Sequence, residues 1–265
     1  MNKPRLDELL VEQGLFSSRT EAMRAVLAGS VRSGEDVLRQ PGMRLDPQTP
    51  LEVRHESRYV SRGGEKLEKA LEVFSVSVEG LRCIDIGASS GGFTDCLLQQ
   101  GAVEVCAVDV GYGQLAWELR NDARVRLFER TNIRNADAVE LGAPFDLAVV
   151  DVSFTRVGRL VPVLEALLDD EGQCILLVKP QFELPKSLVK GGVIVEQELH
   201  IQAVESVTEI LTQSLLKPNG LDFSPIKGPK GNIEFLLWAQ KKGDDATIFV
   251  SEVVEAAHEF FARPM

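Results

Sequence analysis

From Arg82 to Leu98 the chain reads Arg-Cys-Ile-Asp-Ile-Gly-Ala-Ser-Ser-Gly-Gly-Phe-Thr-Asp-Cys-Leu-Leu. The apolar run Cys83 to Ile86 has the length of a buried strand. It breaks into small residues, Gly87 to Gly92, before apolar periodicity resumes at Phe93. The order is strand, glycine turn, helix. Glycine lets backbone approach a ligand closely, and a helix start presents N–H groups that lack intrahelical partners. The next apolar run, Val105 to Val110, carries Asp109, 22 residues beyond Gly87, where a carboxylate can accept hydrogen bonds from a ribose. Together these features point to an adenosine-bearing cofactor on an open α/β sheet.

Dinucleotide folds and S-adenosylmethionine (AdoMet) methyltransferases both use such a turn, but the dinucleotide fingerprint requires G-x-G-x-x-G. Here Gly87 is followed by Ala88, Ser89 and Ser90, with the paired glycines at 91 and 92. Downstream, periodicity predicts strands at 82–87, 104–110, 125–129, 145–151, 173–179, 221–227 and 233–241. Helices are expected near 93–100, 114–121, 156–169 and 196–215, with one more in the tail after Asp244. Alternation of this kind gives a parallel sheet with crossover helices. Only Gly228-Pro-Lys-Gly231 separates the last two strands, too little for a crossover, so the final strand should run antiparallel. The expected fold is a seven-stranded Rossmann-like AdoMet methyltransferase sheet, preceded by a small α+β domain.

Composition narrows the class. With 44% apolar and 26% charged residues the chain reads as globular, and no apolar run approaches the length of a membrane span. The first residues show no hydrophobic leader core, so a cytoplasmic location is expected. Four cysteines without a CxxC pair, and three scattered histidines, predict buried free thiols and no metal site. The net charge of −11 argues against a uniformly basic nucleic-acid binder. The acid is uneven, however: residues 1–66 hold 11 Lys and Arg against 10 Asp and Glu, while the remainder holds 18 against 30.

Residues 1–54 read as a separate unit. Leu6, Leu9 and Leu10 repeat at helical spacing and Gly14 stops that helix. Ser17 or Ser18 caps a second helix with Ala22, Val26 and Leu27 on its inner face, and Gly29 ends it. Short strands are expected at 30–32, 36–38 and 49–53. The pattern Arg-Leu-Asp-x-x-Leu-Val-x-x-Gly-Leu-x-x-Ser-Arg-x-x-Ala, then Gly-x-Val, resembles the αL or ribosomal-protein-S-four type of RNA-binding domain. The resemblance implies phosphate contacts from Arg5, Arg19, Arg24, Arg32 and Arg44. Such contacts orient RNA without reading its sequence. The plainer alternative is a solvated basic face. Residues 55–66 form a linker, and 67–265 the larger domain.

Ligands of open α/β sheets bind outside the carboxyl ends of the strands, so residues there converge from distant positions. Asp151 follows one strand, Lys179 another, Glu234 enters the last, and Lys66 lies near the start of the helix before Arg82. Taken singly, Asp151 could cap a loop, Lys179 could be a surface residue and Glu234 could pair with Lys230. As a set, Lys66, Asp151, Lys179 and Glu234 resemble the Lys-Asp-Lys-Glu tetrad of the FtsJ-like ribose 2′-O-methyltransferases. In that chemistry Lys179, made less basic by burial and by Lys66, takes the hydroxyl proton or stabilises the alkoxide, and the carboxylates hold the amines.

With Ser-Arg-Gly-Gly-Glu-Lys-Leu, Asp-Val-Ser-Phe and Val-Lys-Pro-Gln-Phe-Glu, the chain resembles the TlyA family from end to end. Members are often labelled haemolysin A, yet the family's characterised activity is 2′-O-methylation of cytidine in ribosomal RNA. The resemblance implies AdoMet contacts from Ser61, Arg62, Gly87, Ala88, Ser89, Ser90, Gly91, Gly92, Phe93, Asp109, Val110, Asn132 and Ile133, with ribosomal RNA or ribosomal subunits as partner. Two other readings stand beside it: a membrane-active haemolysin, and an RNA-binding assembly factor with an inactive methyltransferase body.

Overall fold

The structure, a computed structural model, describes residues 3–34, 36–53, 58–243 and 246–262. It divides into two compact units, Met1–Arg58 and Tyr59–Met265. Of the expected linker, residues 55–57 lie outside the described residues, as do 244–245 and 263–265 of the expected tail.

The first unit pairs α1 (Leu6–Glu12) with α2 (Arg19–Ala28) over a three-stranded antiparallel sheet of β1 (Val31–Ser33), β2 (Asp36–Val37) and β3 (Glu52–Val53), in the order β2-β1-β3. Ser18 caps α2 by accepting the Glu21 N–H at 3.3 Å, and Gly29 closes it in the left-handed region at φ 81°. Leu6, Leu9, Leu10, Ala22, Val26 and Val31 form the core. Leu27 does not join them; it is 62% exposed. One residue past Val26 turns the side chain about 100° around the helix, so Ala22 and Val26 face inward and Leu27 faces out.

The second unit begins with α3 (Gly63–Val73) and continues β4 (Arg82–Ile86), α4 (Gly92–Gln99), β5 (Glu104–Val108), α5 (Trp117–Arg120), β6 (Val125–Phe128), α6 (Ala138–Leu141), β7 (Phe145–Val150), α7 (Val161–Leu167), β8 (Leu168–Val178), α8 (Pro180–Glu183), α9 (Gln197–Thr212), β9 (Lys217–Phe223), β10 (Phe235–Gln240) and α10 (Val250–Ala262). The sheet order is β6-β5-β4-β7-β8-β10-β9. β10 is antiparallel to both β8 and β9, while β6, β5, β4, β7 and β8 are parallel, so one strand of seven is reversed, as expected. Strand order changes direction between β4 and β7, which opens a crevice at their carboxyl ends. Apolar layers cover both faces: α3 and α4 with Leu67, Leu71, Phe93 and Leu97 on one, α7, α9 and α10 with Leu164, Val204 and Val254 on the other.

Four elements differ from expectation. β8 starts at Leu168 rather than 173, because a register shift against β7, from Phe145↔Leu168 to Leu147↔Gln173, absorbs the polar run Asp169–Gly172 that reads as a turn. The expected helix 156–169 is accordingly a 3₁₀ turn, Val157–Leu160, followed by the shorter α7. α5 is one turn long, since residues 109–116 form a loop with Gly113 at φ 70°. β9 lies at 217–223 instead of 221–227, and it joins β10 through residues 224–234. Its Pro218 and Gly220 look like a turn, but an edge strand tolerates proline, and Gly220 makes room for the Phe74 ring.

Candidate active site

The glycine turn after β4 is built by steric necessity. A Cβ on Gly87, at φ 91°, would stand 2.4 Å from the Asp151 carbonyl oxygen, so this residue lets the turn touch the loop after β7. Gly91, at φ 97°, caps α4, and a Cβ there would strike Leu119. Below the turn Asp85 is fully buried. Thr94 Oγ1 donates to its Oδ2 at 2.6 Å while Oδ1 has no partner, and burial pushes its pKa up to about 7.

Two cavities flank the turn and share Gly87, Ser89, Asp151 and Ser153. The one beside β5, about 520 Å³, is lined by Asp109, Val110, Asn132 and Ile133 among others. Asp109 holds its own loop in shape: Oδ2 accepts the Ser89 N–H at 2.8 Å and Oδ1 the Gly111 N–H at 2.6 Å. Each oxygen keeps a further lone pair. Asn132 Oδ1 caps the turn Ile133–Asn135 by accepting the Arg134 N–H. Polar acceptors, the Asp109 and Asp151 carboxylates and aliphatic walls in this volume fit an adenosine. The cavity on the other side, about 300 Å³, is lined by Ser61, Arg62, Ala88, Ser90, Gly92, Phe93, Lys66, Asp151 and Lys179. Of the expected cofactor residues, Gly91 lines neither and serves the packing of α4.

Three residues at strand ends, Asp151, Lys179 and Glu234, come together with Lys66 of α3 as two ion pairs. Lys66 is on the buried face of α3, 7% exposed, and its Nζ lies 2.5 Å from Oε2 of the fully buried Glu234. Lys179, also 7% exposed, pairs with Asp151 and donates to Ser153 Oγ at 3.1 Å. Lys66, Asp151 and Lys179 line the smaller cavity. Glu234 stands behind Gly228, where a Cβ would meet Oε1 at 2.0 Å. Lys230 does not take Glu234 as partner; Lys66 does. A neighbouring pair, Lys69 with Asp222 at 3.1 Å, anchors α3 to β9. Desolvating two charges offsets most of their attraction, so a buried pair adds little to stability. Two of them facing one cavity therefore ask for a chemical explanation.

Sequence reasoning passed over Ser153, Gln114, Thr131, Arg134 and the Ile226–Gly228 segment, all lining these cavities. Ser153 sits inside the quoted Asp-Val-Ser-Phe motif, and that proximity was the available signal.

In the first unit the arginines divide. Arg5 and Arg19 both bind Asp7, at 2.9 and 3.1 Å, and Arg19 also binds Glu8 at 3.0 Å. The Arg5 hydrogen bond, with help from Arg19, holds the Asp7 carboxyl below the usual carboxylate range. Arg44 donates to the Lys3 carbonyl and is bridged through its backbone to Arg5. Arg24 is exposed on α2, and Arg32 is half-buried on β1.

A parallel sheet with one reversed strand, a glycine turn at its switch point and a carboxylate at the end of the neighbouring strand define an AdoMet-type methyltransferase body. The pattern of the FtsJ-like methyltransferases matches residues 59–241 and that of the S4 domain residues 4–50, so the chain belongs to the FtsJ-like methyltransferase family and carries an S4 domain. It is similar over nearly its whole length to named relatives. YqxC of Bacillus subtilis, named as an rRNA methyltransferase, is 46% identical over 97% of this chain and 95% of its own. The 16S/23S rRNA (cytidine-2′-O)-methyltransferase TlyA of Mycobacterium tuberculosis is 41% identical over 92% of each. Among solved structures, a Streptococcus thermophilus protein bearing a hemolysin name superposes with a TM-score of 0.77 at 44% identity, covering 99% of this chain and 98% of that one.

Proposed function

We propose that the second unit transfers the methyl group of AdoMet to a ribose 2′-hydroxyl of ribosomal RNA, cytidine being the nucleoside, with Lys66, Asp151, Lys179 and Glu234 as the catalytic set. The observation that carries this reading is the pair of buried lysines, each held by a carboxylate, lining a cavity that adjoins the adenosine-shaped one across the glycine turn. The names of the B. subtilis and M. tuberculosis relatives support the substrate.

AdoMet supplies a methyl already activated by its sulfonium, so the protein must supply alignment and a destination for the hydroxyl proton. Lys179, once its ammonium has released one proton to solvent, turns the freed lone pair to the attacking hydroxyl and receives its proton as the new O–C bond forms and the methyl leaves the sulfonium. Asp151 holds the Lys179 amine at that place. Lys66, fixed by Glu234, offers an N–H group to the ribose and opposes the negative charge gathering on oxygen. Proximity supplies most of the rate. The S4 unit brings RNA to the site through phosphate contacts, and the work is done in the cytoplasm.

The test is tritiated methyl transfer from AdoMet to isolated ribosomal subunits, followed by digestion to nucleosides. Label in 2′-O-methylcytidine is expected. Lys179→Ala and Asp151→Ala should abolish transfer while AdoMet affinity stays within roughly tenfold, about 1.4 kcal/mol. Label on a base would overturn the ribose reading. AdoMet binding by calorimetry without transfer to any subunit would favour the assembly-factor reading.

A further inference from the structure

The Lys179 ammonium carries three N–H groups. The loop after β7 meets it in two ways: the Asp151 carboxylate forms an ion pair with it, and the Ser153 hydroxyl takes one N–H at 3.1 Å. An ion pair alone leaves the amine free to turn about its Cε–Nζ bond. A directional hydrogen bond to Ser153 sets that rotation and with it the directions left for the remaining N–H groups, and Lys179 lines the smaller cavity. Ser153 lines both cavities, so its hydroxyl stands where the cofactor side and the substrate side meet.

The position of that hydroxyl is set from outside the loop. Gly87 allows the glycine turn to press on the Asp151 carbonyl, and Phe154, the residue after Ser153, takes the left-handed region at φ 63° with its ring 5.1 Å from that of Phe182. The Ser153 side chain is exposed to the cavities and takes no part in a hydrophobic core. Its short reach toward Lys179 therefore serves the amine rather than the fold.

We propose that Ser153 is a positioning residue for Lys179: its hydroxyl fixes the rotation of the amine so that a further position on Nζ, an N–H in the resting ammonium and the lone pair once that proton has left for solvent, meets the ribose hydroxyl. The proposal rests on the assignment of Lys179 to the catalytic set. Ser153 itself touches neither the methyl nor the proton in flight.

Ser153→Ala and Ser153→Thr in the full-length protein provide the test, read in two ways. In kinetics with ribosomal subunits, Ser153→Ala should lower kcat roughly 10- to 100-fold, the cost of a misplaced reacting group, with KM for AdoMet and RNA within about twofold. Ser153→Thr, which keeps the hydroxyl, should recover most of kcat, and the melting temperature should not move in either variant. In NMR of protein labelled with ¹⁵N at lysine Nζ, wild type and Ser153→Thr should show a slowly exchanging Lys179 ammonium signal, assigned by its absence from Lys179→Ala. Ser153→Ala should lose it. An unchanged kcat in Ser153→Ala, an unchanged Lys179 signal there, or no such signal in wild type would each overturn the proposal. A wild-type protein that methylates nothing would overturn the proposed reaction instead, and the ammonium signal would still judge the contact.

Discussion

Asp85 is a carboxyl group in the wrong place for stability. It sits near the end of β4 with no exposure, hydrogen-bonded only by Thr94 and with an unpartnered Oδ1, and burial raises its pKa to about 7. In the unfolded chain the same group loses its proton near pH 3.8. Between those values the folded state binds the extra proton, so this residue stabilises the fold at low pH and that contribution is lost as pH rises through 7. Three pKa units correspond to about 4 kcal/mol, an upper bound because a buried site relaxes around its charge. Glu183, buried and raised to about 7 in the same way, acts in the same direction, so the comparison must be a difference between variants. Asp85→Asn should gain melting temperature relative to wild type as pH goes from 5 to 8 without cofactor. Parallel melting curves across that range would show that Asp85 does not ionise as argued.

At the scale of elements, the connection 224–234 deserves the next measurement because it delivers Glu234 to Lys66. Ser224 ties its start by donating to the Ile226 carbonyl at 2.6 Å, and Gly228 N–H reaches the Asn232 carbonyl at 2.9 Å. Asn232, 2% exposed, pins the other end: Oδ1 accepts the Ile194 N–H at 3.1 Å and Nδ2 donates to the Gly192 carbonyl at 2.9 Å. Asn232→Ala would leave those two backbone groups without their side-chain partner, a loss of about 2–4 kcal/mol. It should lower the melting temperature and kcat together, whereas Asn232→Asp, which can still accept from Ile194, should lose less of both. Full activity in Asn232→Ala would mean that Glu234 is held by the strand alone. The same connection shows what sequence can and cannot convey. Reversal of the last strand was legible, because the connection, eleven residues at 224–234 where four were expected, is still too short for a crossover. The limits of β9 were not, because Pro218 and Gly220 carry turn character that only an edge position reconciles with a strand. Asp151, Lys179 and Glu234 were legible because strand ends converge by topology, and Lys66, on α3, through the resemblance of the set to the FtsJ-like tetrad. Ser153 and Gly228 act through contacts a few ångströms long, which no periodicity records.

For the molecule as a whole, RNA capture is the role proposed for the S4 unit, since the chain beyond residue 66 is strongly acidic. The five arginines should not behave alike there. Arg5 and Arg19 are engaged with the buried Asp7, so removing either disturbs the α1–α2 pairing as well as any phosphate contact. Arg24 is exposed on α2, and its loss should act on RNA alone. Each phosphate contact contributes a slope of about −0.9 for duplex or −0.7 for single strands to log K against log salt, so Arg24→Gln should weaken ribosomal RNA binding and flatten that slope by about one contact, with no change in melting temperature. Arg19→Gln should flatten it similarly and also melt earlier, most visibly above the pH at which the Asp7 carboxylate ionises. At lower pH Asp7 is protonated, the ion pair is gone in both proteins, and their melting temperatures should approach one another. An unchanged slope in the Arg19→Gln, Arg24→Gln double variant would move RNA capture away from α2, to the lysines and arginines around the cavities of the second unit.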